Sequence, residues 1–122
     1  SYNPSYYTGD MGIIDWSSGN LLFKIVASSI NYDFANVTEG QTLTMYAHNS
    51  TSVDQTPLFT SGVEVDDGAG GTRTENAVRW PADTAGNNNP PKIITKRTNV
   101  YTFININTGI FASYLTGYDY RT

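Results

Sequence analysis

The 122-residue sequence predicts an all-β fold, an antiparallel β-sandwich that is jelly-roll-like. Three observations lead there. The first is the run from Val100 to Asn107, in which Val100, Thr102, Ile104 and Ile106 fall on one side and Tyr101, Phe103, Asn105 and Asn107 on the other. Period-two spacing of β-branched and aromatic residues marks a strand. The second is turn chemistry recurring between such runs, at the spacing of sandwiches and barrels. The third is composition: aromatics make up 13% of the chain, nine of them tyrosines, and Gly, Ser, Thr and Asn are abundant. Those residues suit strands and turns better than helices.

The elements follow in order. Residues 1–10 show no period and are expected to form an arm or connection, with residues 11–122 as one β-sandwich domain. Met11 to Trp16 is a short strand, and Ser17-Ser18-Gly19-Asn20 is a turn. Leu21 to Ala27 is a strong strand that continues through Ser28 to Phe34, with Ile30, Tyr32 and Phe34 on one face. Asn36 to Gly40 turns the chain into Gln41–His48, where Leu43, Met45 and Ala47 share a face. Thr56 to Val65 is a weaker strand, and the glycines of Asp66 to Thr74 predict a flexible loop. Glu75 to Trp80 is a strand, Ala82 to Pro91 a loop, and Lys92 to Lys96 a short strand. Asn107-Thr108-Gly109 then reverses the chain, so that Ile110 to Leu115 returns antiparallel. That makes about eight strands, an order-of-magnitude reading of the pattern.

Composition excludes several classes of function. There is no cysteine, hence no disulfide, thiolate zinc site or thiol nucleophile. Net charge is -4 and the seven basic residues are scattered, which argues against binding a phosphate backbone. No segment approaches the ~20 apolar residues of a membrane-spanning helix, so no membrane insertion is expected. The chain begins at Ser1 rather than Met, which fits a processed product or part of a longer protein.

Few residues carry chemistry. His48 is the single histidine, and no Gly-x-Ser-x-Gly elbow accompanies the serines, so no catalytic residue is assigned and no enzyme is expected. Without a second histidine or a cysteine, His48 has no partners for zinc. Glu64, Asp66 and Asp67 precede Gly68, a loose match to a calcium loop that lacks EF-hand spacing. A solvated loop is the simpler reading, and no metal or cofactor is expected. Asn36-Val37-Thr38 and Asn49-Ser50-Thr51 match the glycosylation sequon, as chance allows in a chain this rich in Asn, Ser and Thr. Trp16 and Trp80 are candidates for stacking on sugars, but core packing is the commoner role. Tyr114, Tyr118 and Tyr120 suit an exposed surface or a subunit contact. Loops carry function on rigid scaffolds. The candidate ligand contacts are therefore Asp66, Asp67 and Arg73 in one polar loop and Asn87, Asn88 and Asn89 in the other.

Gly40-Gln41-Thr42-Leu43-Thr44, then Trp80-Pro81, then Pro90-Pro91, then Val100-Tyr101-Thr102-Phe103-Ile104 and Gly109 occur in that order. The series resembles the distal β-domains of bacteriophage tail fibres and related virion structural proteins. The resemblance runs from Gly40 to Gly109; Asn49 to Thr74 matches no motif. It implies a viral structural protein of the virion, a homotrimeric tail-fibre or spike tip that attaches to a host-surface glycan or protein. The chain also holds more Tyr, Phe and Ile than one small core is expected to hide. A carbohydrate-binding module or lectin of cellular origin is the alternative.

Overall fold

The computed structural model describes residues 4–7, 12–28, 31–106 and 109–119. Their strands are β1 (Pro4–Tyr7), β2 (Ile13–Asp15), β3 (Leu21–Val26), β4 (Asn31–Ala35), β5 (Thr42–Asn49), β6 (Leu58–Asp66), β7 (Thr72–Ala77), β8 (Arg97–Ile106) and β9 (Gly109–Asp119). One turn of 3-10 helix, Trp16–Ser18, follows β2. Two sheets form, in the orders β1-β3-β5-β8-β9 and β2-β4-β6-β7. They are called sheet A and sheet B below. The chain is all-β and two-layered, as its alternation predicts.

The ladders are not those of an antiparallel, jelly-roll-like sandwich. From β1 to β6 each successive strand joins the opposite sheet, so strands two apart become neighbours. The pairs β1/β3, β3/β5, β2/β4 and β4/β6 all run parallel. Only β5/β8, β6/β7 and β8/β9 are antiparallel. Parallel neighbours need a crossover, and here the crossover is the intervening strand of the other sheet. Side-chain period reveals a strand but not the direction of its neighbour, so the mixed topology lay outside the reach of that signal.

Several element boundaries also move. Pro4–Tyr7, within the stretch read as an arm, is the edge strand beside Leu21–Lys24. Leu21 to Phe34 is two strands in different sheets rather than one; Ile30 lies outside the described residues. Thr72 to Thr74, read as loop, belongs to β7, because backbone pairing with Val65 and Asp66 begins at once after the glycines. Lys92 to Lys96 is not a strand: Ile93 alone bridges Gln55, and Lys96 turns the chain at φ 61°. Of the expected reversal at Asn107-Thr108-Gly109, residues 107 and 108 lie outside the described set, and Gly109 already pairs with Ile106.

The core is the space between the sheets. Sheet A contributes Leu22, Val26, Leu43, Met45, Tyr101, Phe103 and Ile110; sheet B contributes Ile14, Tyr32, Phe34, Phe59, Val63 and Val65. Trp80, after β7, closes one side, with its ring 5.8 Å from Phe59 and from Tyr101 and 5.9 Å from Phe103, centroid to centroid. Lys24 shares the buried face of β3 with Leu22 and Val26, and its ammonium lies 5.5 Å from the Tyr32 ring centroid. That distance is within the range of a cation–π contact.

Candidate functional site

The expected ligand loops are not brought together. Asp66, Asp67 and Arg73 lie at the β6–β7 hairpin, whereas residues 82–91 leave the far end of β7. Within the hairpin the carboxylates serve the turn itself. Asp66 Oδ1 accepts from Gly68 N at 2.8 Å, and Asp67 Oδ1 accepts from Ala69 N at 2.7 Å and Gly71 N at 3.0 Å. Those backbone donors hold the Asp67 carboxyl below the usual carboxylate range. Arg73 reaches Glu75 at 3.2 Å, and Glu75 also binds Arg79 at 2.8 Å. In the other loop, Asp83 accepts from Ala85 N and Asn87 N, each at 2.9 Å, and Asn88 donates to Trp80 O at 2.8 Å. Asn89 is exposed. Among the described residues, no group of three or more His, Asp or Glu side chains is placed to hold a metal ion.

The tryptophans are core residues: Trp16 is 1% exposed and Trp80 9%. Neither presents a ring face on which a sugar can stack. Asn49 is fully buried, with its amide donating to Val53 O and Ile93 O, so that sequon offers no acceptor. Asn36 is exposed, and its amide donates to Asp15 at 3.0 Å.

Sequence reasoning passed over a cleft of about 360 Å³ between β6 and the connection from β4 to β5. Its cause is local. Asn36, at φ 56°, turns the chain out of sheet B, and the β4/β6 ladder ends at Asp33–Thr60. Beyond that point β6 has only β7 beside it, and a bulge between Thr60 and Val63 distorts it further. Phe34 and Val63 line the gap with Ser61, Asn36, Glu39, Glu64 and Asn105. Asn105 is 8% exposed, and its side-chain amide makes no hydrogen bond among the described residues. Its backbone does pair, donating to Gln41 O and accepting from Gly40 N. The Asn105 side chain opens onto a cleft rimmed by two carboxylates, Glu39 and Glu64. This arrangement can receive a ligand rich in hydroxyl or amine donors.

His48 has no part in the cleft. It is buried at the end of β5, where Nδ1 lies 3.1 Å from Thr98 Oγ1. Burial, with Lys96 nearby, pushes its imidazole below the usual value of 6.5. The folded state therefore binds that proton less readily than the unfolded chain. The resulting stability is complete above pH ~6.5 and declines as pH falls from there towards the lowered pKa. His48→Gln is expected to flatten the fall in melting temperature between pH 7 and 5. A variant that loses stability over this interval as steeply as the parent rules His48 out as the cause. Asp15 and Asp67, whose pKa values are also lowered, act below about pH 4.

Comparison of the chain with protein-family models, curated proteins and solved structures gives no match.

Proposed function

We propose that this chain is a non-enzymatic attachment domain of a bacteriophage tail fibre or spike tip, working in the virion as a homotrimer. One observation supports the reading most. The motif segments, scattered over the sequence, converge in space: Thr42, Leu43 and Thr44 are direct ladder partners of Ile104, Phe103 and Thr102. Trp80 packs on the same Phe103. The resemblance thus covers one contiguous unit, the centre of sheet A and the core beneath it. The proposed contact region is the end of the sandwich holding the Asn105 cleft and the Asp66, Asp67 and Arg73 hairpin. Its ligand is a host-surface glycan or a protein with exposed donors.

The test uses an antibody to the chain on phage particles from the source, together with the purified domain as a competitor of adsorption. Gold label at the fibre tips and slowed adsorption are the expected results. Label confined to cell envelopes, with binding on a glycan array, would instead establish the cellular lectin. Unlabelled particles and unchanged adsorption would remove the virion role altogether.

A further inference from the structure

The two sheets turn unlike faces outward. Sheet B shows Asn31, Asp33, Thr60, Glu64 and Thr74, joined by hydrogen bonds of Asn31 to Asp33, Thr60 to Asn31 and Thr74 to Glu64, with Ile13 and Leu58 as separate exposed hydrophobics beside Asp33 and Asn31. Sheet A shows hydrophobic side chains. Phe23, Tyr46, Val100 and Leu115 are successive ladder partners, so they form one row across four strands. Tyr118 flanks the row, Ile104 lies beyond the intervening row of Thr44, Thr102 and Ser113, and a groove of about 490 Å³ runs among Phe23, Tyr46, Val100, Leu115 and Tyr118. Tyr46, Ile104, Leu115 and Tyr118 are each between 39% and 60% exposed.

We infer that the outer face of sheet A is where copies of this chain meet, a conclusion that rests on the homotrimer proposed above and assigns its contact surface. Area is the first argument. Five strands at ~4.8 Å spacing and about eight residues at ~3.3 Å rise give a face of roughly 600 Å². That approaches the ~800 Å² each partner contributes to a stable interface. Charge is the second. The molecule carries a net charge of -4, yet the central row bears no charge. The one carboxylate lining the groove is Asp119 at the rim, paired with Arg97. Asp33, Glu64, Asp66 and Asp67 belong to sheet B and its hairpin. Association through sheet A brings hydrophobic rows together and keeps those carboxylates apart, whereas association through sheet B would oppose like charges. Threonines 42, 44 and 102 and the tyrosine hydroxyls supply hydrogen bonds at such a contact.

The test is sedimentation equilibrium of the parent, of Leu115→Lys and Tyr46→Lys, and of Glu64→Lys as a sheet B control. The parent and the control should sediment as trimers of the 13.4 kDa chain, and both face variants as folded monomers. Leu115→Thr and Tyr46→Thr, which copy residues already on the face, serve if the lysine forms do not fold; each should lower the association constant at least tenfold. A parent that stays monomeric at high micromolar concentration overturns the inference. So does assembly that the face variants leave intact, although the homotrimer then survives with another contact. A dimer abolished by the face variants supports the surface and overturns the three-fold order.

Discussion

Trp80→Ala is expected to lower folding stability by about 3–5 kcal/mol, the range for deleting a large buried aromatic. The ring touches four others, Phe59, Tyr101, Phe103 and Tyr114, with centroid distances from 5.8 to 6.2 Å. It therefore joins both sheets at a place where no strand ladder does. Pro81 and the Asn88 hydrogen bond to Trp80 O fix the backbone around it, so the cavity has little freedom to collapse. Urea unfolding followed by circular dichroism measures the loss. A variant as stable as the parent but deficient in ligand binding would mean that Trp80 is a contact residue and not a core one.

Gly109→Ala should be the second large effect, about 2–4 kcal/mol from backbone strain plus displacement of the buried Glu75 carboxylate from its half-exposed arginine partners. Gly109 sits at φ 131°, and a Cβ there would stand 2.0 Å from Glu75 Oε2. Glu75 has little room to move, because Arg73 and Arg79 both grip its carboxylate. The two causes separate in a double-mutant cycle. In a Glu75→Ala background the clash with the carboxylate is gone, and Gly109→Ala should then cost the strain of its φ angle and the tight contact with Arg79 Nε at 3.2 Å. Equal costs in both backgrounds would show that Glu75 is not what excludes the side chain.

Parts of this structure were legible in the sequence for clear reasons. β8 was, because a strand with one buried face writes that face into every second residue, whereas β9 was legible only as far as Leu115 and continues to Asp119 with both faces exposed. The same rule put Asn105 beside Tyr101 and Phe103 on the inward side, and a polar residue on an apolar row was the available signal for the cleft. β6 looked weaker than it is because Thr60, Ser61 and Gly62 interrupt its pattern; Ser61 is buried with its hydroxyl donating to Glu75 O. Gly68, Gly70 and Gly71 predict a loop through Thr74, whereas the pairing of Thr72 and Thr74 with Asp66 and Glu64 is set by the neighbouring strand. The cleft itself depends on where β4 leaves its sheet, which is a property of neighbours and not of any one segment.

The alternation of β1 to β6 between two sheets also bears on how the chain acquires its structure. Among the described residues, no strand from β1 to β6 pairs with the next one along the chain, so these strands form no local hairpin with one another. Each ladder must wait for a partner two elements later, and β5 must wait for β8 as well. The entropy of closing those loops is lost before any contact compensates, which slows folding. The two hairpins, β6–β7 and β8–β9, lie in the C-terminal half and can close early. During synthesis each early strand thus leaves the ribosome ahead of its partner, and β5 keeps one edge open to association with other chains until β8 arrives.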